Sequence, residues 1–434
     1  MSSNSDEALG RPKAIVVGAG AVGLSTAVQL RRRGYSVEVM DEGQPGGGAS
    51  YGNSGMLVAD TAIPTSQPGM LWKVPGWLAD PLGPLTINAR YLPKALPWLW
   101  QYLRAGTRSH VLYAATALRA LHRTTFEGWL ENVGAGVMGR MTRRDGQVYL
   151  WEGLSEGPPK GLEDEVRSLL GVDAETIGAD QIRQFYPGIS RHASHGLLIR
   201  GNGHTIDPGG LVRALADQFR VEGGELVHER VLKLWQDSRG RWILMTNLGN
   251  HAVDVVVVAA GAWSSRLLAP LGVRIPLESE RGYHAMLGNP SVRLAMPILN
   301  KTGYFGLSSM THGLRVSGTV EIAGLDAPPT LSRAENLVTQ AKRLFPQLQS
   351  DEPVYWMGHR PSTPDGLPAI GAVDGLPGLY VCFGHGHSGL TAAPASGKML
   401  AQLVAGERPD IDPRPYAPGR FTQSRMPLAT SQAP

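Results

Sequence analysis

The first apolar run of the chain, Ala14–Val17, breaks off into glycines, a pattern that predicts a short buried strand. From Ala21 to Arg33 the spacing of Val22, Ala27 and Leu30 suits a helix laid on a sheet, with Gly34 as its stop. Tyr35 to Met40 then alternates like a second strand and ends at Asp41. Together these make a strand–helix–strand unit with a right-handed crossover. Further on, residues 109–132 read as a helix, and 137–200 as mixed strands and short helices. Asp207 before Pro208 is a cap and first-turn pair for a helix through about Glu222. A βαβ-like connection is expected through Glu225–Val231, Trp242–Thr246 and Val253–Ala259. Strands follow near Tyr283–Leu287, Gly303–Ser308 and Leu314–Gly318, then a helix over about 331–345 that stops before Pro346. The last unit is a strand at Leu379–Phe383, a glycine-rich turn and a helix from Leu390 to Ala405. Residues 409–434, rich in Pro and Ser, read as a tail.

One stretch departs from this regularity. Between Pro64 and Pro97 seven prolines interleave with Trp72, Trp77, Trp98 and Trp100, which forbids one long helix and favours short helices and turns. The stretch either packs over the core or forms a rim for a membrane, an electron acceptor or a partner protein.

Composition narrows the class. The 434 residues are enough for two or three domains, and 42% hydrophobic against 18% charged describes a folded chain. A net charge of +4 is far from the concentrated basic field of a nucleic-acid binder, so no nucleic-acid partner is expected. The single cysteine, Cys382, excludes an internal disulfide, a multi-thiolate cluster and a zinc finger; it reads as core packing in a reducing compartment. The polar N-terminal stretch lacks the basic flank and apolar centre of a secretory signal, and no run is long enough to span a bilayer. A cytoplasmic location follows, with a peripheral contact on a membrane left open.

The chemistry begins at Gly18, Gly20 and Gly23. This GxGxxG follows a strand and opens a helix at Ala21 and Val22. Gly18 allows the tight turn, Gly20 lets the backbone approach a pyrophosphate, and Gly23 lets helix and strand pack closely. Asp41, with Glu42 beside it, is placed to accept from an adenosine ribose hydroxyl and would repel a 2′-phosphate. A dinucleotide site follows, and these residues alone leave FAD and NAD both open.

Across residues 12–410 the chain resembles the D-amino acid dehydrogenase and glycine oxidase family (DAO family) of FAD-dependent amine oxidoreductases. Beyond the fingerprint, the resemblance rests on three further elements. The loop Gly48, Ala49, Ser50, Tyr51, Gly52, Asn53, Ser54, Gly55, running into Met56, looks like the family segment that lies along the pyrophosphate and reaches the flavin. Val256–Ser264, with Ala260, Gly261 and Trp263, looks like the turn that closes over the dinucleotide, with Ala260 in place of the usual Thr. Its neighbours Arg230 and Val231 resemble the segment whose backbone reads adenine. The third element is Gly358–Gly371 followed by Gly384, His385, Gly386, His387, Ser388, Gly389, Leu390 and Thr391. In the family the first part supplies an arginine to the substrate carboxylate, and the second sets N–H groups by the flavin's pyrimidine end.

The resemblance implies FAD as cofactor and an α/β fold: a Rossmann-like FAD-binding domain of the glutathione-reductase-2 type with an interleaved α+β substrate domain on a mixed or antiparallel sheet. The expected division is 12–62, 195–270 and 355–410 for FAD, 63–194 and 271–354 for substrate, with flexible tails at 1–11 and 411–434. Arg360 is the expected carboxylate clamp, since a guanidinium grips a carboxylate through two parallel bonds. Tyr283 is a candidate second donor to that carboxylate, Tyr304 a weaker one, and His359 a residue that shapes the pocket. Hydride transfer from Cα needs positioning more than an acid–base pair, so no dyad is required. The His359, His385 and His387 spacing lacks a third nearby ligand, and no metal is expected. The implied reaction is oxidative deamination of amino acids, D-enantiomers favoured and cyclic amines such as proline or 4-hydroxyproline included. A quinone or other carrier would take the electrons at the inner face of a bacterial membrane. The rivals are an oxygen-dependent glycine or sarcosine oxidase and an NAD(P)-dependent dehydrogenase. The last would leave the C-terminal glycine motifs without a role. Oligomeric state is left open.

Overall fold

The computed structural model describes residues 12–153 and 157–421. Its centre is a six-stranded sheet ordered Glu225–Val227, Ser36–Met40, Lys13–Val17, Val255–Val258, Leu379–Phe383, Ala369–Ala372, parallel except for the last pair. Alternation in the first strand sends Ala14 and Val16 into one core and Ile15 and Val17 into another. The first core lies under the helices Ala21–Arg32, Pro208–Val221 and Gly389–Val404. The second lies under a three-stranded antiparallel sheet, Val231–Gln236, Trp242–Thr246 and Asn250–Val253. The expected βαβ-like connection through 225–259 is therefore a β-meander. The hydrophobic runs there are too short for a covering helix, and the turns at Asp237–Gly240 and Thr246–Gly249 fold them back on themselves.

A second sheet, of nine strands, is ordered Val354–Ser362, Glu278–Leu287, Gly313–Ile322, Phe305–Met310, Ile298–Asn300, Gln147–Glu152, Ala193–Ile199, Ala174–Gly178, with Leu85–Ile87 beside Gly313–Ile322. It is mixed: Ile298–Asn300 runs parallel to Gln147–Glu152, and Leu85–Ile87 is also parallel to its neighbour. Helix Ser332–Leu344 covers one face around Phe305, Leu307, Leu337 and Ala341. Strands Ala193–Ile199 and Val354–Ser362 both belong to this sheet, so the sheets divide the chain near 200 and 363 rather than at 195 and 355.

Two local expectations change, and the short helices expected in the proline-rich stretch are found. The helix expected over 109–132 is two, Arg108–His122 and Thr125–Met141, and the second breaks at Gly134 with φ 78°. The proline-rich stretch holds two helices, Met70–Ala79 and Leu92–Ala105, with Pro75 and Pro97 inside them. Residues 411–421 are not a flexible tail. The buried Tyr416 hydroxyl donates to the Ala117 carbonyl at 2.6 Å, and Arg420 pairs with Asp365 at 2.7 Å. The expected tails at 1–11 and 422–434 lie outside the described residues.

Candidate active site

One cavity of about 1840 Å³ joins the carboxyl ends of the parallel strands to one face of the nine-stranded sheet. Its dinucleotide end is built on Gly18, whose φ is 114° and whose N–H donates to the Met40 carbonyl at 2.8 Å. A Cβ there would stand 2.4 Å from the Ala259 oxygen, and one at Gly23 would stand 2.0 Å from the Gly18 oxygen. Gly23 thus serves helix packing and does not line the cavity. Asp41 accepts from the Ala19 N–H at 2.8 Å and the Gly43 N–H at 2.7 Å, which orients its carboxylate at the cavity wall with lone pairs to spare. Ser50 Oγ accepts from the Ala21 N–H at 3.1 Å, bringing the loop of Gly48, Ala49 and Ser50 onto the helix start. Glu42 faces Arg230 at 3.7 Å on the exposed rim. The Arg230 N–H is taken by Asn247 Oδ1 at 2.8 Å, so it is not free to read adenine.

The rest of that loop is held from the second sheet by residues the sequence did not single out. Arg315 donates to the carbonyls of Tyr51 at 2.8 Å and Asn53 at 2.6 Å. Burial pushes its guanidinium down to about 10. His284 Nδ1 lies 3.3 Å from the Gly52 oxygen and stacks on Trp356, whose indole fills the space a side chain at Gly52 would need. The alternation Trp356, Gly358, Arg360 was a readable signal for Trp356; nothing local marks Arg315. Met56 lines the cavity and its sulfur accepts from Gln147 Nε2 at 3.0 Å. Gly55 and Thr391 do not line it. Gly55 turns at φ 78°, and Thr391 Oγ1 instead accepts from the Val58 N–H at 3.2 Å.

At the opposite wall, Gly384 and Gly386 take φ 88° and 51° and lead into helix Gly389–Val404, which has no side-chain cap. Gly386, His387, Ser388 and Gly389 line the cavity there, so the helix's positive end faces into it. His385 is buried, with Nε2 3.0 Å from Ser396 Oγ. His387 Nδ1 lies 3.6 Å from Glu280 Oε2, with its side chain 43% exposed to the cavity. Burial raises the Glu280 carboxyl against the pull of Arg360 and Ser362. Ala260, Gly261, Trp263 and Val231 close the remaining wall. Cys382 is fully buried, and burial pushes its thiol up to about 12, which suits packing. A steric turn that tolerates only glycine, an oriented acid and an uncapped helix start around one cavity fit a dinucleotide bearing a flavin.

Arg360 sits where the two sheets' contributions meet. It pairs across the ladder with Glu280, and its guanidinium lies flat over Gly282: a Cβ at 282 would stand 2.1 Å from Cζ. Nη1 donates to the Thr319 carbonyl at 3.1 Å. Thr319 holds φ 56° beside a bulge opposite Gly282, a strained state for a β-branched residue that aims this carbonyl at the guanidinium.

The other expected substrate contacts fare differently. Tyr283 is 1% exposed, on the covered side of the strand; its hydroxyl donates to Glu321 at 2.5 Å and accepts from the Thr330 N–H at 2.9 Å. The residue lines the cavity, but its hydroxyl is engaged by Glu321 and Thr330. His359 shares strand alternation with Ser279 rather than Arg360; its Nδ1 lies 2.8 Å from Ser279 Oγ and its ring stands edge-on to Trp263. It lines the cavity beside Trp263, on the opposite side of its strand from the Arg360 side chain. Tyr304 does face the cavity, with φ 56° and its ring edge-on to Trp77 at 5.4 Å.

These features define a flavin-dependent oxidoreductase, and comparison with known proteins gives the family. The chain matches the family model for FAD-dependent oxidoreductases (DAO) over residues 13–403, and it belongs to that family. It is 40% identical over 425 residues to a D-amino-acid oxidase of Bradyrhizobium diazoefficiens, covering 94% of this chain and 98% of that one. It is 28% identical to a D-amino acid dehydrogenase of Rhizobium johnstonii, over 94% of this chain and 100% of that one. Among solved structures, the glycine oxidase of Geobacillus kaustophilus superposes with a TM-score of 0.69 at 23% identity, covering 94% and 98% of the two chains. FAD is the cofactor, and the nicotinamide alternative falls.

Proposed function

We propose that this protein oxidises D-amino acids to imino acids, which water hydrolyses to 2-oxo acids and ammonia. The observation that carries this reading is Arg360: a guanidinium laid flat in the dinucleotide cavity with Nη1 on one carbonyl and its other N–H groups turned to the space above Gly282. Those groups can take a substrate carboxylate through two parallel bonds, which fixes the Cα–H direction. The amine must enter neutral, because its lone pair forms the C=N bond as Cα–H leaves with its electron pair. FAD, when bound, accepts that hydride. The names of two relatives support D-amino acids as the substrate class.

The acceptor is read from the proline-rich stretch. Trp72 is 87% exposed and Trp100 58%, alongside Leu71, Leu78, Leu96 and Leu103. Helices Met70–Ala79 and Leu92–Ala105 carry Lys73, Lys94 and Arg104 and no acid. An apolar, basic face at the cavity rim suits an anionic membrane surface and a quinone drawn from it. Among the described residues no helix is long and apolar enough to cross a membrane, so the contact would be peripheral. The test is turnover of D-alanine and D-proline with a quinone analogue or oxygen as acceptor, measured as acceptor reduced, with pyruvate the product from D-alanine and the cyclic imine from D-proline, together with sedimentation on anionic vesicles. Efficient turnover with the quinone analogue and salt-sensitive sedimentation support both parts. Turnover by oxygen alone, without vesicle binding, removes the carrier reading and leaves the oxidation.

A further inference from the structure

Arg360 and Glu280 carry opposite charges on directly paired residues of neighbouring strands, where Cβ atoms stand about 5 Å apart, yet among the described residues the two form no ion pair. Each leans away from the other. The Arg360 guanidinium lies over Gly282 with Nη1 on the Thr319 carbonyl at 3.1 Å. Glu280 turns the opposite way: its Oε2 accepts from Ser362 Oγ at 3.0 Å and lies 3.6 Å from His387 Nδ1. Trp98 fixes Ser362 by donating Nε1 to its carbonyl at 3.0 Å, and its ring stacks on Tyr102 at 5.0 Å. Glu280 is 5% exposed and lines the cavity, and among the described residues no donor reaches its Oε1. Strand alternation puts Glu280 and Gly282 on one face, about 7 Å apart. An anion and a cation thus flank one stretch of cavity wall, each held off the other by its own partner.

We propose that Glu280 is a further catalytic residue, which binds the ammonium group of the amino acid whose carboxylate Arg360 holds and takes a proton from it before oxidation. The proposal rests on the reading of Arg360 as the carboxylate clamp. An α-amino acid carries both charges on one carbon, so hydrogen bonds of about 3 Å at each end let it bridge the gap between the two side chains. One N–H bond of the ammonium breaks and an O–H bond forms at Oε1, leaving a neutral amine and a neutral carboxyl. The freed lone pair is the one that forms the C=N bond; the carbon–hydrogen step itself needs no base. Burial raises the Glu280 carboxyl, against the pull of Arg360 and Ser362, and so narrows the difference in proton affinity between it and an amine. The ionisable groups facing Glu280 are Arg360 on the neighbouring strand, His387 on the turn before helix Gly389–Val404, Tyr102 on helix Leu92–Ala105 and Glu278 on its own strand.

The test follows anaerobic flavin reduction by D-alanine across pH in the FAD-loaded protein, alongside binding of propanoate, which keeps the carboxylate and lacks the amine. In the unaltered protein the reduction rate should level off well below about pH 10, where a free aliphatic amine loses its proton. Glu280→Gln should slow reduction at neutral pH by about 100-fold or more and move the rise in rate up toward about pH 10, the effect of losing a positioned base. Propanoate should bind the variant at least as tightly as before, since a neighbouring anion has gone. Glu280→Asp should recover part of the rate. An unchanged rate and pH profile in Glu280→Gln overturns the role. So does propanoate binding lost in step with the rate, because Glu280 would then only shape the clamp. If Glu280→Gln does not fold, Ser362→Ala decides: removing the donor to Oε2 should raise the carboxyl further and move the profile to higher pH, and an unmoved profile overturns the role. All of these outcomes leave the oxidation of D-amino acids standing. Failure of D-alanine and D-proline to reduce the flavin of the unaltered protein removes the proposed function as well.

Discussion

The guanidinium of Arg360 occupies the volume that a side chain on Gly282, in the adjacent strand, would need. The clamp therefore depends on a missing Cβ as much as on a charge. Gly282→Ala should displace the guanidinium and lower kcat/KM for D-amino acids by about 10–100-fold, the worth of one to two charge-assisted hydrogen bonds. Arg360→Ala should lower it further, and both variants should purify with FAD bound. Steady-state kinetics with a flavin spectrum checks this; full activity in Gly282→Ala would show that the guanidinium is not fixed there.

Asp41 joins the Gly18 turn to the ribose position by accepting the Ala19 and Gly43 N–H groups. Asp41→Ala should weaken FAD binding by about 10–100-fold, since hydrogen bonds to a charged group are worth about 1.5–3 kcal/mol. Flavin fluorescence titration of the apoprotein measures it. Apparent kcat at saturating FAD should change little by comparison.

Burial holds His122 and His204 down to about 4, and His284 and His385 to about 3, each below the ordinary imidazole value of 6.5. Above pH 6.5 these groups are neutral in both folded and unfolded chains and add no pH dependence. Below it the unfolded chain takes up protons that the folded one refuses, so stability falls as pH drops from 6.5 toward 4. Thermal melts across that window should show the decline. His122→Leu should shallow it, because both ring nitrogens of His122 are buried without a hydrogen-bond partner; an unchanged slope would remove His122 from the effect.

Tyr416 fastens the C-terminal segment by burying its ring and donating to Ala117. Tyr416→Phe should cost about 1 kcal/mol, a lost buried hydrogen bond, and Tyr416→Ala about 3–5 kcal/mol, as for other buried aromatics. Denaturant unfolding followed by flavin release distinguishes the two. Equal stability of all three forms would contradict the anchoring.

What could be read from the sequence was what local backbone geometry dictates. Gly18, Gly23 and Asp41 announce their turn because the glycines meet backbone atoms only a few residues away or on the next strand, and the motif's spacing encodes that. Arg360 was legible through its flanking Gly358 and Pro361, but its dependence on Gly282 and Thr319 was not, since register between strands some 40 to 80 residues apart leaves no local mark. Tyr283 and His359 both line the cavity, but the partners that engage them, Glu321 and Ser279, lie across strand register and leave no local mark either. Pro-rich composition hid the anchoring of residues 411–421, because Tyr416 and Arg420 act through partners at Ala117 and Asp365 that no nearby pattern reveals.

The most direct test of convergence between the Gly18 turn and Arg360 is anaerobic mixing of the FAD-loaded protein with D- or L-alanine, following flavin absorbance near 450 nm, where oxidised flavins absorb. The account predicts rapid bleaching by the D-enantiomer in the unaltered protein, and bleaching slowed by about 100-fold or more in Arg360→Ala with the flavin retained. Equal bleaching rates in the two proteins would contradict it.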